Sequence, residues 1–290
     1  MNASLIKELR DISGAGMMDC KKALEENDND LDKAAEYLRK KGVAKAAKKA
    51  GRIAAEGLST VLESGNKAVI LEINCETDFV AKNEKFQKFV NDVAKTILNN
   101  NAKTMEEALE LPCESGKLSD YVTNMTATIG EKISFRRFTL LEKNDDENFG
   151  AYVHMGGKIS VLSLIKGANS EVAKDVSMHA AAMNPSYVNK EQVPEEEVVK
   201  EKKLLTEQVI NEGKPANIAE KIVQGKISKY YKEICLEEQE FVKDNSVTVG
   251  NYVSNNGGKI IDVIRYEVGE GIEKRQENFA EEVAAQMKGA

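Results

Sequence analysis

Residues 68–89 read AVILEINCETDFVAKNEKFQKF, and the fold turns on how that stretch is divided. Residues 68–73 are, Glu72 apart, apolar and partly β-branched, as a buried strand should be, and Phe86, Phe89, Val90, Val93 and Ile97 then recur at helical spacing. Asn83 is a natural helix N-cap. That assignment leaves Thr77, Asp78, Phe79, Val80, Ala81 and Lys82 as a loop ahead of the helix, where side chains are free to meet a partner. A blander reading competes with this one: Phe79 or Val80 can fold back on the first helical turn as a hydrophobic staple, with Asp78 favoured by the helix N-terminus. A comparison within the chain weakens the staple. Residues 150–183 repeat the plan of residues 58–98, namely strand, Gly-containing turn (Ser64-Gly65-Asn66; Met155-Gly156-Gly157-Lys158), apolar strand, helix. In the second copy the strand passes through Lys166-Gly167-Ala168-Asn169-Ser170 straight into its helix, with no counterpart of residues 77–82. The fold can therefore be built without them.

Working outward towards the N-terminus, residues 1–42 read as about three short helices. Leu5, Leu9 and Ile12 form one stripe, residues 17–27 a second helix, and Leu31, Ala34, Ala35 and Leu38 a third behind an Asp30 cap, with Gly42 as a C-terminal stop. Met17 and Met18 follow a Gly-Ala-Gly turn and cannot easily both point inward, so one is expected to offer an adaptable apolar contact. Residues 43–55 carry Lys45, Lys48, Lys49 and Arg52 in an Ala-rich context without interleaved aromatics, which fits a solvated linker helix better than a nucleic-acid stripe. Towards the C-terminus, a strand is expected at 132–141, an acidic break at 144–148, and the second copy after it. Pro185 and Pro194 bracket a change to two charge-rich helices, 195–212 and 218–234, whose short Gly213-Lys214-Pro215 turn predicts an antiparallel pair. Sheet-like sequence resumes at 259–268, and residues 272–287 predict one more amphipathic helix.

Composition sets outer limits. The 290 residues are 41% hydrophobic and 31% charged, enough for a sizeable core divided among several modules. No apolar run approaches the roughly 20 residues of a membrane span, and the polar N-terminus lacks a signal-peptide core, so a cytoplasmic protein is expected. Cys20, Cys75, Cys113 and Cys235 fit neither metal-ligand spacing nor a disulfide framework. A net charge of −7 argues against bulk nucleic-acid affinity.

Enzyme chemistry finds little support. His154 and His179 are the only histidines, and neither has a carboxylate or nucleophile at motif spacing. His154 falls at a hairpin tip, suited to a surface contact, and His179 on a helix, suited to packing. The Gly-Lys pairs at 116, 157, 225 and 258 lack the remaining residues of a phosphate loop. An RNA-binding protein using residues 40–52 and a hydrolase or transferase stay open as other classes.

Taken together, LIKELRDISGAGMMDCKKALEE, KAAKKAGRIAAEG, NCETDFVAKNEKF, HAAAMNPSYV, IAEKIVQGKISKYYKE and RYEVGEGIEK resemble, in this order and across essentially the whole chain, the signature segments of bacterial elongation factor Ts. The resemblance implies an α+β architecture. It comprises a ubiquitin-associated-like helical bundle with a basic linker (1–52), two related α+β core subdomains with antiparallel sheets (53–142; 143–185 with 236–268), an inserted antiparallel helical hairpin (186–235) and a C-terminal helical module (269–290). It also implies nucleotide exchange on elongation factor Tu, GDP-bound or nucleotide-free, with no cofactor, metal, membrane or direct nucleic-acid partner. The family's loop beside the partner's magnesium site maps onto Thr77, Asp78, Phe79, Val80, Ala81 and Lys82, with Phe79 the wedge. Its N-terminal contacts map onto Arg10, Met17 and Met18, and its contact histidine onto His154, where this chain reads HMGGK and relatives commonly read HGGGR or HGAR.

Overall fold

The computed structural model describes residues 3–13, 15–113, 116–213 and 215–273, over which the chain is mixed α+β with antiparallel sheets. In order, α1 (Ala3–Ser13), α2 (Met17–Glu26) and α3 (Leu31–Lys49) precede β1 (Glu56–Ser64) and β2 (Lys67–Cys75), joined by the Gly65-Asn66 turn. Then come α4 (Asp78–Ala81), α5 (Glu84–Asn100), α6 (Met105–Glu110), the short strands β3 (Pro112–Cys113) and β4 (Gly116–Lys117), α7 (Leu118–Ile129) and β5 (Ser134–Glu142). The second copy follows as β6 (Glu147–His154), β7 (Ile159–Lys166) and α8 (Ser170–Met183), and after it the helical pair α9 (Glu195–Asn211) and α10 (Ala216–Ile234). The short strands β8 (Glu240–Phe241) and β9 (Asp244–Thr248), α11 (Val249–Asn255) and β10 (Lys259–Glu267) complete the described chain. Each copy builds one three-stranded sheet with its second hairpin strand in the middle, in the orders β1-β2-β5 and β10-β7-β6. The tail helix expected at 272–287 falls outside the described residues from 274 onward.

The described residues separate into two compact units, one drawn from residues 3–59, 71–138 and 267–273 and the other from residues 60–70 and 139–266. In the first, α1 to α3 close around Leu9, Cys20, Ala23, Leu24, Ala34 and Leu38, and Asp30 caps α3 by accepting from the Lys33 N–H at 3.0 Å. Ile12, expected on the α1 stripe, stays exposed. Gly42 does not stop the third helix, which runs on to Lys49. Its physical reason is packing: Gly42 is buried against α7, where an added Cβ would lie 3.3 Å from the Ala127 Cβ. The absent side chain lets two helices approach closely, and that gain outweighs the helix-breaking tendency of glycine. Several basic residues of α3 and of the segment after it have partners within the chain. Lys41 and Lys45 both pair with Asp19, Lys49 donates to the Gly130 carbonyl, and Arg52 pairs with Glu76.

On β2 the sequence places Glu72 in an otherwise apolar run, and the structure buries it completely. Burial by itself pushes this carboxyl's pKa up. Hydrogen bonds from the Gly269 N–H (2.8 Å), Asn74 Nδ2 (3.0 Å), Arg136 Nη1 (3.0 Å) and Arg137 Nε (2.6 Å) outweigh it, and the group titrates below the ordinary glutamate range. The same two arginines reach the corner after β10: Arg136 donates to the Glu270 carbonyl, and Arg137 Nη2 to the Glu267 carbonyl at 3.1 Å. Gly269 sits at φ +77, and a Cβ there would come within 2.2 Å of the Ala55 carbonyl oxygen, so only glycine fits this corner.

In the second unit, β6 pairs antiparallel with β7 from Glu147↔Lys166 to His154↔Ile159, and α8 packs on the pair through Val172, Ala173, Val176 and Ala180. Helices α9 and α10 enclose a small core of their own, Val209, Ala219 and Val223. His179 is a packing residue, as its helical position suggests. Its Nδ1 accepts from the Val242 N–H (3.2 Å), so the proton sits on Nε2 and is donated to Gln239 Oε1 (2.9 Å). All four cysteines are free thiols, three of them buried, and burial raises the Cys235 thiol to about 11.

Candidate functional site

The segment between β2 and α5 is ordered by short-range chemistry at both ends. Asn83 caps α5 by accepting from the Lys85 N–H at 2.9 Å, as its residue type predicts. Residues 78–81, expected as loop, form instead one helical turn, α4, with Thr77 as its own N-cap: the Thr77 hydroxyl oxygen accepts from the Val80 N–H at 3.4 Å. Four residues carry no readable periodicity, which is why the sequence pattern missed the turn. Within it Ala81 is buried, while Lys82 reaches back to Asp78 at 2.7 Å in an i,i+4 pair, an exposed contact worth about 0.3–0.5 kcal/mol.

Phe79 points away from all of this. It is 80% exposed, which rules out Phe79 as the staple, though not the half-buried Val80, and leaves a large apolar ring in water at the tip of a single turn. Among the described residues it is the most exposed of the large hydrophobic side chains, ahead of Met155 and Met18.

The base of the turn is held by residues that pattern reading did not single out. Glu131, just past the C-terminus of α7, accepts the Glu76 and Thr77 N–H groups on Oε2 (3.0 Å each) and the Thr77 hydroxyl on Oε1 (2.7 Å). Glu76 returns the favour, accepting the Lys132 N–H at 2.6 Å while Arg52 Nη1 contacts it at 3.3 Å. The Cys75 thiol donates to the Thr77 carbonyl at 3.1 Å. The signal available in the sequence was Gly130 ahead of Glu131: a left-handed helix stop turns the chain and leaves the following carboxylate to find backbone donors.

Arg10 lies exposed on α1, and Met17 and Met18 open α2 with 59% and 72% of their surfaces exposed, so neither methionine packs inward. Ile12 on α1 is exposed as well. His154 ends β6 in the second unit, exposed, its Nδ1 3.2 Å from the Tyr152 hydroxyl and its ring stacked on the tyrosine with centroids 5.9 Å apart. Among the described residues no group of three or more His, Cys, Asp or Glu side chains is placed to hold a metal ion, and no helix is long and apolar enough to cross a membrane.

The family model described as Elongation factor TS matches residues 76–270, about two thirds of the chain. The chain belongs to the elongation factor Ts family. Elongation factor Ts proteins are nucleotide exchange factors that act on elongation factor Tu during translation elongation. The matched span opens at Glu76, one residue before the Thr77 cap, and so takes in the whole Phe79 turn, the Glu131 corner and His154, while Arg10, Met17 and Met18 precede it.

Proposed function

We propose that this chain binds elongation factor Tu·GDP and inserts the 77–82 turn at the partner's nucleotide site, where Phe79 displaces the surroundings of the magnesium ion and the phosphate contacts. GDP leaves and GTP rebinds. Exposure of Phe79 on a turn fixed at both ends is the observation that carries the reading: a ring held out in water gains on burial in a partner and contributes almost nothing to the fold it stands on.

The energetics assign the remaining work. Bound GDP is held by the phosphate loop and by Mg²⁺ bridging phosphate to protein, so disturbing either weakens the nucleotide. Factor and GDP must lower each other's affinity by the same ratio. Burying one phenylalanine yields about 1.5–3 kcal/mol, and each tenfold weakening of GDP requires about 1.4 kcal/mol. One ring therefore supplies at most about a hundredfold, and docking elsewhere supplies the rest. The exposed Arg10, Met17 and Met18 suit that task in the bundle, and His154 suits it in the second unit. The chain emerges unchanged and needs no cofactor.

The test is release of a fluorescent GDP analogue from elongation factor Tu. Phe79→Ala is expected to slow release about tenfold or more at saturating factor, with the melting temperature nearly unchanged because the residue is already 80% exposed. Release at the wild-type rate overturns the reading.

A further inference from the structure

We infer that Glu131 is the positioning residue of the exchange reaction: its carboxylate fixes the backbone at Glu76 and Thr77 so that the turn leaves the sheet with Phe79 pointing outward. The inference rests on Phe79 being the inserted side chain.

A single helical turn cannot hold itself. Fixing the dihedrals of three residues for one hydrogen bond is unfavourable, so α4 must be imposed from outside. Glu131 imposes it with three charge-assisted hydrogen bonds, two to consecutive N–H groups and one to the cap hydroxyl. Because the Thr77 hydroxyl proton is committed to Glu131 Oε1, its oxygen lone pair is presented to the Val80 N–H, and cap and anchor reinforce one another. The anchor itself does not move freely. Gly130, at φ +87, turns the chain, its carbonyl accepts from Lys49 Nζ, the Lys132 N–H donates to Glu76, and Lys132 Nζ donates to the Arg52 carbonyl at 2.9 Å. Residues 130–132 thus tie the end of α3 and the base of the Phe79 turn to one corner. Lacking Glu131, the turn samples other conformations, and the ring reaches its target only in the fraction that remains competent. Docking through the bundle is untouched. The loss falls on the maximal rate.

The experiment titrates the full chain against fluorescent-GDP release for Glu131→Ala, Glu131→Asp, Glu131→Gln, Phe79→Ala and the Phe79→Ala/Glu131→Ala double variant, with thermal melts alongside. Glu131→Ala is expected to lower the maximal release rate about tenfold, the scale of one lost hydrogen bond to a charged group, and to leave the half-saturating concentration within about twofold. Glu131→Asp, one methylene too short, behaves the same way and carries the test if the alanine variant melts early. Glu131→Gln keeps an oxygen for the two N–H groups and recovers most of the rate. The double variant is no slower than Phe79→Ala alone, since Glu131 acts through the ring. Normal maximal rates in both the alanine and aspartate variants, beside a slow Phe79→Ala, overturn the positioning role and leave the Phe79 reading standing. A raised half-saturating concentration with an unchanged maximal rate, or additive losses in the double variant, overturn it too. A fast Phe79→Ala overturns both.

Discussion

Replacing Glu72 by alanine removes a fully buried carboxylate that receives bonds from Arg136, Arg137, Asn74 and the Gly269 N–H. Truncating one partner of a buried pair costs about 3–5 kcal/mol, because the other charge is left stranded. Here the stranded charges are not deep: the Arg136 and Arg137 side chains keep 26% and 29% of their surface in water and can rehydrate. That places the loss near the lower end, about 3 kcal/mol, with the buried Gly269 N–H and Asn74 amide contributing through their lost acceptor. At about 2–4 °C per kcal/mol for a domain of this size, the melting temperature should fall by about 6–12 °C, read by circular dichroism or calorimetry at pH 7. Glu72→Gln should fall between the two, since it retains an acceptor for the N–H groups and loses the charge. The sign with pH is fixed by the depressed titration of the carboxyl. Its contribution is fully present above the ordinary glutamate value of 4.5 and fades as pH drops through the lower folded value, so wild type and variant converge in acid. An alanine variant melting within about 2 °C of wild type would show that desolvation cancels the whole network, and the argument would fail.

Three further outcomes follow from the same kind of accounting. Burial holds the His179 pKa below its ordinary 6.5 despite the bond to Gln239, so the unfolded chain takes up the proton first; stability should decline as pH falls below 6.5, and a His179→Gln variant should lack that slope in denaturant melts across pH 5–8. Gly42→Val should destabilise by about 1–3 kcal/mol through overpacking against Ala127, with Ala127→Gly recovering part of the loss in the double variant; equal losses with and without the second change would refute the close-approach account. The Phe79→Ala variant should separate activity from stability, slow in exchange and normal in melting, and an early melt would return the ring to a packing role.

Much of this architecture was open to reading from residue pattern. The apolar run of β2, the helical spacing of α5, the Asn83 cap, the doubled hairpin and the α9–α10 pair all follow from local periodicity and turn chemistry, and all stand in the structure. What escaped depends on partners distant in sequence. Gly42 reads as a stop until Ala127 is known to lie against it. Glu72 reads as a lone interruption of a strand until Arg136 and Arg137 are seen across the sheet, although a carboxylate in an apolar run already demands a cation. The site divides the same way. Phe79 and its neighbours were visible as an insertion relative to the second copy. Glu131 was not, because its value lies in donors on Glu76 and Thr77, 55 and 54 positions upstream, which no local pattern connects to it.

That α3 continues unbroken from the bundle core to Lys49 sets a rule about spacing. Its 19 residues span roughly 28 Å as a rigid rod, pinned at one end by Asp30 and at the other by the contact of Lys49 with Gly130. A flexible tether would forgive an extra residue, whereas in a helix one insertion near Gly42 swings everything before it by about 100° and lifts Gly42 off Ala127. The stretch between Leu38 and Lys49 should therefore tolerate changes of residue type on its outer face far more readily than any change of length, and chimeras that exchange the bundle between relatives should keep the helical phase across this joint.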